Sequence, residues 1–143
     1  MNTYIAHMQY ALRLAEAGLG TTYPNPSVGA VIVKAGQVVG TGATAIGGRP
    51  HAETIAIEQA GSDAKDATLY VTLEPCSHHG QTPPCVDAII NAGIKKVVLA
   101  CGDPNPLVAG QGIAALQGAG IEVVQNICEG EAIRINEGFF SLI

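Results

Sequence analysis

The sequence has no tryptophan, two phenylalanines and four tyrosines in 143 residues, so aromatic rings make up only 4% of it. Single-stranded nucleic acid is bound largely by stacking its bases on such rings, and their scarcity argues against that function. Basic residues are also few. Seven Lys plus Arg stand against twelve Asp plus Glu, a formal charge of −5. With no basic cluster, neither a duplex phosphate backbone nor an anionic membrane surface finds its complement. No run approaches the roughly 18 apolar residues of a membrane span. The first twenty residues, MNTYIAHMQYALRLAEAGLG, are interrupted by His7, Arg13 and Glu16 and show no evident cleavage site. No secretory signal is read there, and the cytoplasm is the expected compartment. Four cysteines (Cys76, Cys85, Cys101 and Cys128) are too few for a disulfide scaffold of this length. In the cytoplasm, Cys and His together point to metal or catalysis instead.

What is present is 48% apolar residues, a mean hydropathy of +0.28 and 18 glycines. That fits one compact α/β domain spanning 1–143 and acting on a small molecule. Residues 3–19 step Ile5, Met8, Leu12, Ala15, Leu19 along one helical face. TTYPNPS is a loop, its two prolines flanking Asn25. VGAVIVK (28–34) and QVVGTG (37–42) are β-branched runs joined by Ala35-Gly36, which predicts an antiparallel hairpin. A helix over 51–60 ends at Gly61. TLYVTL (68–73) and KVVLAC (96–101) lack alternation, as strands covered on both faces do. Between them Thr82 and Pro83 open a helix that buries Val86, Ile89 and Ile90. GDPNPLVAG is a second proline loop, followed by a helix near 111–118, a strand at 121–124 and a helix over 129–142. Strands three to five alternate with helices and should run parallel. The expected architecture is a three-layer α/β/α sandwich on a five-stranded mixed sheet.

Three positions stand out chemically: His51 in HAE, then Cys76 and Cys85 in EPCSHHGQTPPC. One imidazole and two thiolates are a zinc ligand set that leaves a fourth position open for water. Glu53 lies two residues after His51, and neighbours at that spacing do not share a helical face. It suits a carboxylate beside the metal better than a further ligand. His51, Glu53 and Cys85 would all lie in first turns of helices, whose positive ends favour thiolate over thiol. Zinc lowers the pKa of bound water to about 7, and a nearby carboxylate can take that proton and pass it on. Other readings stay open at this point. His78 or His79 could close the site as a fourth ligand, a Cys-His pair could act as nucleophile, or these could be ordinary loop polars. Glu74, beside Pro75 and Cys76, is either structural or orients a ligand. GTGATA (40–45) formally fits a dinucleotide-loop pattern but is not followed directly by a helix.

His51-Ala52-Glu53 followed by Pro75-Cys76 resembles the H-x-E and P-C signature of the zinc nucleobase deaminases. The second cysteine departs from C-x-x-C, because eight residues separate Cys76 from Cys85. That longer insert is similar to the deaminase domain of the bacterial riboflavin-biosynthesis enzymes, the diaminohydroxyphosphoribosylaminopyrimidine deaminases of the cytidine/deoxycytidylate deaminase superfamily. PNPSVGAVIV, GGRPHAE, YVTLEPCSHHG, TPPC, DPNPLVAG and the late NEGFF share in the likeness. The resemblance implies a cytidine-deaminase-like fold, with zinc held by His51, Cys76 and Cys85 and protons shuttled by Glu53. It implies substrate contacts from Asn25, His78, Asp103 and Asn105, with Thr44 and Gln81 as further candidate contacts. Thr44 stands where many members have histidine, and Gln81 where many have a cation, which bears on how a substrate phosphate would be held. It further implies a small aminopyrimidine substrate, no nucleic-acid or membrane partner, and assembly as a homodimer or homotetramer. A reductase domain follows at about this point in bifunctional members, and none is expected within these 143 residues. Deamination of another small base, such as guanine, cytosine or a pterin, is the nearest alternative activity. A noncatalytic zinc module is the alternative of another class.

Overall fold

A computed structural model of the chain describes residues 2–18, 27–46, 50–75, 85–102 and 109–136. Five helices and five strands follow one another as α1 (Asn2–Ala17), β1 (Gly29–Lys34), β2 (Gln37–Ala43), α2 (Ala52–Ala60), β3 (Thr68–Leu73), α3 (Cys85–Asn91), β4 (Lys96–Cys101), α4 (Gln111–Gly118), β5 (Glu122–Val124) and α5 (Glu129–Ile135). A short 3₁₀ turn, Gly61–Ala64, follows α2. The strands form one sheet in the order β2-β1-β3-β4-β5. β1 pairs antiparallel with both β2 and β3, whereas β3–β4 and β4–β5 are parallel. This is the expected mixed sheet.

The hairpin between β1 and β2 turns at Ala35 (φ 51°) and Gly36 (φ 79°). Two successive positive φ values make a turn whose twist matches the flanking strands. The register then shifts from Val33 opposite Val38 to Ile32 opposite Gly40, a bulge that leaves Val39 over. β3 and β4 are buried along almost their whole length, as apolar strands covered on both faces must be.

Close-packing glycines decide where the helices sit. A Cβ added to Gly29 would lie 1.9 Å from the Ala11 carbonyl oxygen, so α1 presses directly on β1. A Cβ on Gly40 would meet the Ala56 oxygen at 2.4 Å, and one on Gly42 the Ala52 oxygen at 2.3 Å. Gly40 and Gly42 pair with Ile32 and Ala30 and share their face, opposite to that of Gly29. α2 lies there, its small residues Ala52, Ala56 and Ala60 all buried. The GTGATA glycines are thus accounted for by helix–sheet contact. α1 packs with α5, and α2 with α3 and α3 with α4, giving three layers.

The buried stripe of α1 is Met8, Ala11, Leu12 and Ala15, each at most 1% exposed. Ile5, expected on it, is exposed, because Ala11 and Ala15 are the residues that meet Gly29. Likewise Val86 and Ile89 of α3 are buried but Ile90 lies on its outer side. Leu19, Thr82, Pro83, Phe139 and Leu142 lie outside the described residues. His7 stacks its ring at a tilt on Tyr70, with centroids 5.0 Å apart. At the outer edge of the sheet the Thr41 amide and hydroxyl both donate to Gln59 Oε1, reaching across from α2.

Candidate active site

His51 is the last residue before α2, with extended dihedrals (φ −75°, ψ 157°) and no side-chain bond capping the helix. Its ring turns instead toward α3, and Nδ1 stands 3.1 Å from Sγ of Cys85, the first residue of that helix. α2 and α3 lie side by side, so two donors 34 residues apart meet because two helices begin at the same place. Cys85 is 2% exposed. Glu53, in the first turn of α2, is 4% exposed, and burial of a carboxylate there is favoured by the helix dipole.

This donor pair fits zinc. Tetrahedral Zn–N bonds of about 2.0–2.1 Å and Zn–S bonds of about 2.3 Å hold an imidazole nitrogen and a sulfur about 3.5 Å apart. The observed separation is within a few tenths of an ångström of that. Among the described residues no third His, Cys, Asp or Glu joins the pair as a metal-sized cluster. Cys76, the other candidate ligand, lies outside the described residues, as do Asn25, His78, Gln81, Asp103 and Asn105. Pro75, immediately before Cys76, is fully buried just past the carboxyl end of β3. Crevices beyond the carboxyl ends of parallel strands are where open α/β sheets bind ligands.

Thr44 is 6% exposed and spends its hydroxyl on one neighbour, accepting from Val28 N at 3.0 Å and donating to Val28 O at 3.4 Å. Val28 lies two residues after Pro26 in sequence, so Thr44 fixes the backbone just past the first Pro-Asn-Pro segment. Three further polar side chains act on the same segment. Asn136, just past α5, accepts from Ser27 N and donates to Ser27 O. Ser27 Oγ donates to Ala15 O, and Thr72 Oγ1 accepts from Gly29 N at 3.1 Å. Neither Asn136 nor Thr72 is conspicuous in the sequence, since each partner is tens of residues away.

Glu74 resolves into a clear geometry. Its carboxylate is 6% exposed and accepts from three amides: Gly110 N at 3.0 Å on Oε1, and Gly112 N at 2.8 Å and Ile113 N at 3.3 Å on Oε2. These are the amides at the start of α4, which a carboxylate is suited to satisfy. The remaining described cysteines stand apart from this chemistry. Cys101 donates its thiol to Thr72 O, and burial, then the charge of Glu131, pushes the Cys128 thiol up despite a bond from Gln9. A cavity of about 340 Å³ on the outer side of α2, lined by Pro50, Thr54, Ile55, Glu58 and Gln59, contains none of the candidate ligands.

Residues 1–101 match the family model for the cytidine and deoxycytidylate deaminase zinc-binding region. The riboflavin biosynthesis protein RibD of Aquifex aeolicus is 58% identical over 137 residues, covering 96% of this chain and 38% of the relative. Among solved structures, Acinetobacter baumannii RibD superposes with a TM-score of 0.95 at 54% identity, over 98% of this chain and 40% of that one. A diaminohydroxyphosphoribosylaminopyrimidine deaminase/5-amino-6-(5-phosphoribosylamino)uracil reductase from Thermotoga maritima gives 0.93 at 46% identity, over 99% and 41%. The chain therefore spans about two fifths of the length of these relatives.

Proposed function

The chain belongs to the cytidine and deoxycytidylate deaminase zinc-binding family, and from that premise we propose that it hydrolytically deaminates an aminopyrimidine, the ribosylaminopyrimidine 5′-phosphate intermediate of riboflavin biosynthesis. The observation that carries this is the 3.1 Å approach of His51 Nδ1 to Cys85 Sγ at two adjoining helix starts, with Glu53 buried in the same turn. The likeness to RibD proteins over nearly all of the chain supports the substrate class.

In this reading His51, through Nδ1, Cys85 and Cys76 hold the metal. Bound there, zinc would bring a water to a pKa of about 7. Glu53 takes the proton of the attacking water and delivers it to a ring nitrogen of the substrate as the new C–O bond forms. The carbon bearing the amino group becomes tetrahedral. Glu53 then carries the second proton to the departing amine, the C–N bond breaks, and ammonia leaves a ring carbonyl behind. One water is consumed per ammonia released. Asn25, His78, Gln81, Asp103 and Asn105 are the proposed substrate contacts. Thr44, also a candidate contact from the sequence, spends its hydroxyl on Val28 and would serve the same site by bracing that residue. Residues 1–143 are read as one deaminase domain, assembling as a homodimer or homotetramer in the cytoplasm.

Ammonia release from a panel of aminopyrimidines, with and without ribose phosphate, tests the proposal together with zinc content. Turnover of the ribosylaminopyrimidine 5′-phosphate with one zinc per chain is expected. Turnover only of guanine, cytosine or a pterin would replace the substrate. Bound zinc with no turnover of any base would leave a noncatalytic zinc module.

A further inference from the structure

We infer that Glu74 is a positioning residue: it ties the chain just past β3, two residues before Cys76, to the end of β4 and the start of α4, the two elements that flank residues 103–108 in sequence, so that the proposed metal side and substrate side of the site keep one relative placement. The inference rests on the proposed roles of Cys76 as zinc ligand and of Asp103 and Asn105 as substrate contacts.

Several independent contacts converge on this one side chain. Its backbone amide donates to Cys101 O at 2.9 Å, tying the ends of β3 and β4 together. Its carboxylate lies against Gly102, where an added Cβ would stand 3.3 Å from Oε1. The same Oε1 accepts from Gly110 N, so this oxygen is bonded to the start of α4 and leaves little room for a side chain at Gly102. Oε2 takes Gly112 N and Ile113 N in the first turn of α4.

α4 has no cap of its own. Its N-cap is Gly110, left-handed at φ 87° and without a side chain, and Glu74 caps the helix from 36 residues away. The helix also presses on the next residue of the cysteine turn, because a Cβ on Gly112 would lie 2.2 Å from Pro75 O. Displacing α4 therefore displaces Pro75, and Cys76 follows Pro75 directly. A carboxylate offers acceptors only, which three inward-pointing N–H groups require. A carboxamide would turn one donor group toward them, so Glu74→Gln is not a silent replacement.

The test uses the full chain with Glu74→Gln, and Gly112→Ala as a second variant that keeps the carboxylate but drives α4 off Pro75. Hydrogen–deuterium exchange is followed in peptides covering 75–85 and 103–113, and zinc loss to a chelator is timed. Both variants should speed exchange in both segments together and release zinc about 10–100-fold faster, as loss of groups that orient metal ligands does. KM for the deaminase substrate should rise more than kcat falls. Faster exchange confined to 109–118, with zinc release and the 75–85 peptides at wild-type values, would overturn the inference and leave Glu74 a helix cap alone. Should both variants fail to fold, the wild type decides. Adding zinc should slow exchange at 103–113, where no proposed ligand lies, and an unchanged rate there would overturn the coupling. A chain that binds no zinc would refute the proposed ligand set, while the exchange pattern of the variants would still test Glu74.

Discussion

Asn136 holds the backbone of Ser27 from both sides: Oδ1 accepts from Ser27 N at 2.9 Å and Nδ2 donates to Ser27 O at 2.8 Å. A side-chain amide here imitates a paired strand and fixes the backbone of Ser27, the residue that follows Pro24-Asn25-Pro26 in sequence. Both residues are buried, so truncation leaves two backbone groups without partners. Asn136→Ala should cost about 1–3 kcal/mol. At this chain length that is a Tm fall of about 2–10 °C. KM should rise as well, because Asn25, a proposed substrate contact, lies two residues before Ser27 in the chain. Thermal denaturation and initial rates check both.

Glu53→Gln should lower kcat by about 10²–10⁴-fold, the usual contribution of a general acid–base. Zinc content should stay at the wild-type level, because the carboxylate is proposed to move protons and not to hold metal. Cys85→Ser should instead lose the metal. Metal analysis beside ammonia release separates the two, and full turnover by the Gln variant would remove Glu53 from the mechanism.

Gly42→Ala should be far more harmful than its chemistry suggests. The new Cβ would meet Ala52 O at 2.3 Å, and Ala52 is the residue after His51. Overpacking of this kind costs about 1–3 kcal/mol. The helix can relieve it only by moving, so weaker zinc retention should accompany the lower Tm. Competition with a chromogenic chelator reads the first and calorimetry the second.

The opposite sign is expected at the β1–β2 turn. Ala35 is exposed and holds a left-handed φ of 51°, and Asn tolerates that region much better than Ala. Ala35→Asn should raise stability by about 0.5–1 kcal/mol. An unchanged or lower denaturant midpoint would contradict the strain assigned to that turn.

The Arg13 guanidinium, with help from the Gln9 amide and against the effect of partial burial, holds the Glu131 carboxyl below the usual carboxylate range. A depressed folded pKa stabilises above the unfolded value, near 4.3, and is lost as pH falls through the lowered one. The Tm gap between wild type and Glu131→Gln should therefore be open at pH 7, narrow below about pH 4, and shrink with added salt. Melting curves over that range test it.

Much of the scaffold is legible in local sequence signals. The β-branched runs around Ala35-Gly36, the unbroken apolar stretches 68–73 and 96–101 and the glycine stops are local signals, and each produced the element it predicted. The approach of His51 to Cys85 is of a kind the sequence can suggest, because residue chemistry, not distance along the chain, singles out candidate metal donors. What stayed hidden is long-range and geometric. Which face of α1 is buried depends on the absence of a side chain at Gly29. The partners of the Asn136 amide and the Glu74 carboxylate lie 109 and at least 36 residues away, and no periodicity encodes them. The glycines at 40 and 42 look like a phosphate loop until the helix they admit is in view.

Gln59 has a consequence for how this protein behaves when concentrated. Its side-chain oxygen occupies the outward amide of Thr41 on the outermost strand of the sheet. An open row of amides on such a strand invites another chain to add itself and start a fibril. Here a newcomer must first displace a side chain held by its own helix. At the far side of the sheet β5 offers only three residues. Among the described residues, the outer margins of the sheet therefore resist chain addition through one glutamine and one short strand, and neither edge strand carries a lysine.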